Sequence, residues 1–131
     1  MDDGRPSEIT VDELLAEARR DLRRFTPQEA RSAAEAGAPL IDIRSESQCD
    51  RDGEIPGAVR VARNVLEWRL DPASAHKDPR LARRDITVIL ICDEGYQSSL
   101  AAATLCAFGL RAGDVIGGFQ AWRSEGLPVA G

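Results

Sequence analysis

No apolar run in these 131 residues is longer than Val88-Ile89-Leu90-Ile91-Cys92, far short of the ~18 residues a membrane span requires. The opening stretch Met1-Asp2-Asp3-Gly4-Arg5-Pro6 is acidic and lacks an apolar segment. That argues against a secretory signal, and the expected location is the cytoplasm, where thiols stay reduced. Histidine is represented only by His76, and the three cysteines stand at positions 49, 92 and 106. An odd number at those spacings makes neither a disulfide framework nor a CxxC pair, and no structural zinc site is expected. There is no excess of cations either: Lys+Arg 17 against Asp+Glu 22 gives a formal charge of −5. Nucleic acid and anionic membrane surfaces are therefore not expected partners. With 11 glycines and 7 prolines, collagen-like and low-complexity classes are excluded.

What is present fits one α/β domain. Val11, Leu14, Leu15, Ala18 and Leu22 fall at helical spacing and predict an amphipathic helix from Val11 to about Arg24. That helix makes residues 1–24 an N-terminal extension to a domain at 25–131. Thr26-Pro27-Gln28-Glu29 and Ser45-Glu46-Ser47-Gln48 are capping boxes that open further helices, the first ending at Gly37. Leu40–Ile43, Ala58–Val61, Ile86–Ile91 and Asp114–Ile116 read as strands, and Asn64–Leu70 as one or two helical turns. A short helix near Pro79–Arg83, an alanine-rich helix capped by Ser98-Ser99, and a last helix from Phe119 to about Glu125 complete the order. Strands alternating with helices imply a parallel sheet covered on both sides.

Ligands of open parallel sheets bind where strands run out into loops that lead to helices. Cys92 stands at such a place, after the most apolar strand and before the Ser98 helix. The loop Cys92-Asp93-Glu94-Gly95-Tyr96-Gln97-Ser98 is short, with Gly95 free to make an unusual turn. Such a loop can aim backbone N–H groups inward while the next helix adds its positive end. A cysteine held there is favoured as the reactive thiolate and can carry an anionic adduct. The other reading of Cys92 is a small apolar residue ending a buried strand. Cys106, on the alanine-rich helix, is expected in the core, and Cys49, in a charged stretch, is expected to be an incidental, partly exposed thiol. His76 is expected at the surface.

Four stretches in register resemble one family. Leu40-Ile41-Asp42-Ile43-Arg44 and Gly53-Glu54-Ile55-Pro56-Gly57-Ala58 look like the two upstream signatures of rhodanese-like sulfurtransferases. The Cys92–Ser98 loop is similar to the family's active loop in length and layout. Gly117-Gly118-Phe119 with Ala121-Trp122 matches its closing glycine pair, aromatic and tryptophan. The resemblance spans about Phe25 to Pro128. It implies a three-layer fold with a five-stranded, mostly parallel sheet, and a Cys92 persulfide formed from a donor such as thiosulfate. It also implies a thiol, cyanide or protein acceptor and no metal or organic cofactor. The N–H groups of Asp93, Glu94, Gly95, Tyr96, Gln97 and Ser98 would hold the persulfide. Arg63, Trp68 and Arg69 would be substrate contacts from the neighbouring segment, with Arg60 also near. Asp42, Arg44, Pro56 and Gly57 would be structural, Arg44 pairing with a carboxylate.

Two positions depart from the family pattern. Gln97 stands where the family has arginine, and Glu54 where it usually has histidine. Asp93 and Glu94 also put negative charge in the loop. At ~6 Å and an effective dielectric of ~20, each carboxylate opposes an arriving unit negative charge by roughly 2–3 kcal/mol before screening. A phosphatase or arsenate reductase on the same fold would need an arginine six residues after the cysteine to clamp phosphate; position 98 is serine. A non-catalytic binding module of the same family is the other alternative.

Overall fold

The computed structural model describes residues 8–131. In chain order the elements are α1 (Val11–Arg19), β1 (Arg23–Phe25), α2 (Pro27–Glu35), β2 (Leu40–Asp42), α3 (Glu46–Asp52) and β3 (Val59–Arg60). A 3-10 turn (Arg63–Val65) leads into α4 (Leu66–Leu70), followed by β4 (Thr87–Ile91), α5 (Gln97–Ala107), β5 (Arg111–Val115) and α6 (Gly118–Ser124). The five strands form one sheet in the order β1-β5-β4-β2-β3. Every pairing in it is parallel. β4, in the middle, is buried on both faces, which is why its sequence is a continuous apolar run rather than an alternating one.

Its side chains still alternate. Val88, Leu90 and Cys92 point into a core shared with Ile41, Leu66, Leu70, Ala101, Ala102 and Leu105, on the α4 and α5 side. Ile89 and Ile91 point into the opposite core with Phe25, Val115, Phe119 and Trp122, on the α2 and α6 side. Both cores close over the sheet, so the domain has the three layers expected. From β2 the chain crosses to β3 at one edge, whereas from β4 it crosses back to β5. The carboxyl ends of β2 and β4 are therefore where the winding direction reverses, the place at which such sheets leave a crevice.

Both capping boxes form: Thr26 with Glu29, and Ser45 with Gln48. Three expectations are corrected. The first helix stops at Arg19 rather than continuing to Arg24, because Arg23–Phe25 pairs with Gly113–Val115 as the edge strand of the sheet. A three-residue strand carrying two arginines has no local apolar pattern, and only its distant partner makes it a strand. Ser98 and Ser99 lie inside the first turn of α5 and do not cap it with their side chains. The segment near Pro79–Arg83 holds turns instead of a helix. Among the described residues no helix is long and apolar enough to cross a membrane.

Candidate active site

Cys92 emerges from the carboxyl end of β4 and is 5% exposed. Its Sγ accepts hydrogen bonds from the N–H groups of Gly95 (3.2 Å) and Ser98 (3.3 Å). Ser98 is the second residue of α5, whose first-turn N–H groups have no partner inside the helix. The N-cap residue, Tyr96, makes no side-chain cap. The cysteine sulfur therefore occupies the position that a capping hydroxyl or carboxylate holds in other helices. It also takes the favourable field of the helix N-terminus, which stabilises negative charge there.

Two glycines permit this geometry. Gly95 has φ +88°, and a Cβ on it would come 2.7 Å from the backbone nitrogen of Gly117. Gly118 has φ +59°, and a Cβ there would come 2.5 Å from the Cys92 carbonyl oxygen and 2.7 Å from the Gly95 nitrogen. The loop rests directly on the start of α6, where the Phe119 and Gln120 N–H groups donate to the Cys92 and Asp93 carbonyls.

The family is decided by the match of the rhodanese-like domain model to residues 26–125. The chain belongs to the rhodanese-like domain family. It is 31% identical over 105 residues to thiosulfate sulfurtransferase GlpE of Pseudomonas syringae, covering 79% of this chain and 90% of that one. Among solved structures it resembles a protein of unknown function from Rhodopseudomonas palustris, described as a possible tyrosine phosphatase. The TM-score is 0.84 at 33% identity, over 96% of this chain and 99% of that one. A rhodanese-related protein from Thermoplasma volcanium superposes with a TM-score of 0.65 at 25% identity, over 82% and 96% of the two chains.

Within this rhodanese-like domain the predicted residues separate. A cavity of about 650 Å³ opens at the crevice between β2 and β4, lined among others by Arg44, Ser45, Arg60, Arg63, Asn64 and Gln97. Trp68 and Arg69 do not line it. Trp68 is 57% exposed, and Arg69 donates to the His76 carbonyl. All three arginines at the cavity are partnered, Arg63 with Glu67 at 2.9 Å, Arg60 with Glu54 at 3.2 Å and Arg44 with Asp42 at 2.8 Å. Of the loop carboxylates, Asp93 accepts from Gln120 Nε2 at 2.9 Å, while Glu94 is exposed. Pro56 and Gly57 lie on the turn before β3 and line a separate groove with Trp122 and Pro128. His76 is exposed.

Asp42 and Arg44 form a buried ion pair at 2.8 Å, their side chains 1% and 0% exposed. The Arg44 guanidinium also donates to the Gly53 carbonyl and lies 3.7 Å from the Phe119 ring centroid. Among the described residues its Nη1 has no hydrogen-bond acceptor; the aromatic face beneath the guanidinium supplies its electrostatic partner.

The two remaining cysteines exchange the roles expected of them. Cys49 is buried, the inward residue of an otherwise charged helix, and burial, then the Asp42 carboxylate, pushes its thiol up. That makes it a packing residue and a poor nucleophile. Cys106 is exposed. An alanine-rich helix is apolar all round, so hydrophobicity did not reveal its inward face. Ser98, Ala101, Ala102 and Leu105 define that face, and Cys106 lies a further 100° or so round the axis from Leu105.

Asp114 is the residue the sequence reading missed. Wholly buried on β5, it accepts from Ser98 Oγ (2.8 Å), Ser99 Oγ (2.8 Å) and the Arg24 guanidinium (3.0 Å). It ties the head of α5 to β5 and, through Arg24, to the edge strand β1. Its signal was a carboxylate inside a strand, opposite two serines that had no cap to make.

Gln120 bridges Asp93 to Asp52, whose carboxyl is held down to about 2 by the Arg51 hydrogen bond first, then by Gln120 and by the charges of Arg51 and Arg123. A depressed folded-state value contributes stability that is present above the ordinary 3.8 and lost as pH falls toward 2. Thermal midpoints measured from pH 5 down to pH 2 are expected to fall less steeply in Asp52→Asn than in the wild type below about pH 4. Parallel curves would remove Asp52 from the acid response.

Proposed function

We propose that this chain is a rhodanese-type sulfurtransferase in which Cys92 carries the sulfur. The observation that carries the reading is the convergence of the Gly95 and Ser98 N–H groups on Cys92 Sγ at the head of α5. It is supported by the family match and by relatives named thiosulfate sulfurtransferase.

In the proposed cycle the Cys92 thiolate attacks the outer sulfur of a sulfane donor. With thiosulfate, an S–S bond forms to Cys92 as the donor's S–S bond breaks, and sulfite leaves with the bonding electron pair. An acceptor nucleophile (cyanide, a thiol or a carrier protein's cysteine) then attacks the terminal sulfur, and the thiolate is restored. Charge balances in each half-reaction. A covalent intermediate between two substrates gives ping-pong kinetics. The N–H groups that meet the thiolate are already ordered for negative charge and need no reorganisation.

Thiosulfate is a dianion, and the charges around the loop both oppose and favour it. Asp93 is turned to Gln120, which lessens its opposition, and Arg60 and Arg63 line the neighbouring cavity, each shared with a glutamate. The exposed Gln97 side chain lies between loop and cavity. A cation there is expected to raise kcat/KM for thiosulfate about fivefold in Gln97→Arg, the scale of one screened surface charge. An unchanged or lower value would mean that charge at this position does not limit capture.

The decisive experiment is intact-mass analysis after incubation with thiosulfate, mercaptopyruvate and a small-molecule persulfide. An added mass of one sulfur atom, removed by cyanide or a thiol, supports the reading. No adduct from any donor would leave the non-catalytic binding module. Steady hydrolysis of p-nitrophenyl phosphate would instead favour phosphoryl chemistry; the loop has no arginine to hold a phosphate, and Ser98 Oγ is committed to Asp114.

A further inference from the structure

The Gly95 carbonyl is held by two guanidinium groups. It accepts from Arg19 Nη2 at 2.7 Å and Arg24 Nη2 at 3.1 Å, and Ser99 Oγ, whose proton goes to Asp114, lies 3.3 Å from it. Arg19 belongs to α1, which packs on α5. Its Nε also donates to Ser99 Oγ at 3.0 Å, and its guanidinium lies 5.8 Å from the Tyr96 ring centroid. Both arginines precede residue 26, where the family match begins. The segment outside the matched span therefore reaches the residue whose N–H faces the sulfur.

That contact has a mechanical consequence. Gly95 lies at φ +88° and, lacking a Cβ, has unusual freedom to rotate the peptides on either side of it. If the Gly95–Tyr96 peptide flipped, its carbonyl oxygen would turn where an N–H now points. Because a trans peptide sets N–H and C=O in opposite directions, holding the Gly95 oxygen toward the arginines keeps the Tyr96 N–H directed away from them. The same anchor fixes the residue that supplies one of the two donors to Cys92.

We propose that Arg19 is a positioning residue of the Cys92 loop, so that α1 is a working part of the site and not an appendage to it. Arg19 does not touch the sulfur. It acts by keeping the Gly95 carbonyl outward and the loop N–H groups inward, and it rests on Cys92 being the sulfur carrier only for its kinetic consequence.

The test compares full-length wild type, Arg19→Ala and Arg20→Ala. Arg20, at the C-cap of the same helix, pairs among the described residues only with Glu17, at the surface, and serves as the control. Single-turnover sulfur capture from thiosulfate is expected to fall about ten- to a hundredfold in Arg19→Ala, the scale of losing a charge-assisted hydrogen bond, and to be unchanged in Arg20→Ala. Alkylation of Cys92 by iodoacetamide, followed peptide by peptide so that Cys49 and Cys106 are counted separately, is expected to slow in Arg19→Ala. A merely structural role predicts the opposite sign, since loosening the fold exposes a buried thiol and speeds its labelling. Faster or unchanged labelling of Cys92 would overturn the proposal. If the wild type takes sulfur from no donor, the sulfurtransferase reading fails, and the labelling comparison still decides the role of Arg19.

Discussion

Cys92→Ser is expected to lower sulfur-transfer turnover by about 10³-fold or more, the scale seen when a covalent nucleophile is removed. The serine hydroxyl would occupy the same volume at the head of α5 and accept from the same Gly95 and Ser98 N–H groups. The fold should therefore persist, with a thermal midpoint close to that of the wild type. What disappears is the chemistry. A hydroxyl is not ionised at neutral pH, and its oxygen cannot form the S–S bond that stores the transferred sulfur. Intact mass after exposure to donor gives the second readout: a one-sulfur adduct on the wild type and none on the variant. An adduct of equal yield on Cys92→Ser would place the carrier at another cysteine. Cys106, being exposed, would then be the next to replace.

The largest stability effect is expected at Arg44, which never meets the sulfur. Its side chain and that of Asp42 are essentially inaccessible, and the guanidinium contacts both Asp42 oxygens, the Gly53 carbonyl and the Phe119 ring. Arg44→Ala would leave the Asp42 carboxylate buried with the backbone N–H of residue 44 as its chief donor. Removing one partner of a buried pair costs about 3–5 kcal/mol, or roughly 10–20 °C in midpoint for a chain of this length. The pair itself is a different matter, since two charges withdrawn from water repay little net energy. Asp42→Leu combined with Arg44→Met should accordingly regain most of the loss. Denaturant unfolding of the two variants checks both statements, and an Arg44→Ala cost below about 1 kcal/mol would contradict the first.

Buried without contact to the sulfur, this pair shows how structure and chemistry are joined here. Arg44 fastens the end of β2 to the C-terminus of α3 through Gly53, and packs on Phe119 at the start of α6. The Phe119 N–H in turn donates to the Cys92 carbonyl. A change at Arg44 that leaves the protein folded can therefore still disturb the loop through α6, and comparing sulfur capture with stability in the double variant separates the two effects.

Much of this was determined by the sequence alone because it is local. Capping boxes at Thr26 and Ser45 are set by side chains three residues apart. β4 announces itself because a central parallel strand must be apolar on both faces. The place of Cys92 follows from the order strand, glycine-bearing loop, helix. Arg44 pairing with a carboxylate needed only its neighbour Asp42.

Tertiary structure decided whatever depends on partners distant in the chain. Arg23–Phe25 is a strand only because Gly113–Val115 lies beside it. Ser98 and Ser99 are not caps because Asp114, buried on β5, claims their hydroxyls. Cys49 and Cys106 exchanged their expected exposures because neither a charged helix nor an alanine-rich one displays its inward face in its composition. Arg19, some 76 residues from Gly95, reaches its carbonyl only once α1 has packed on α5. Periodicity and capping act over a few residues, whereas a site assembled at the crevice of a parallel sheet gathers groups that no local pattern connects.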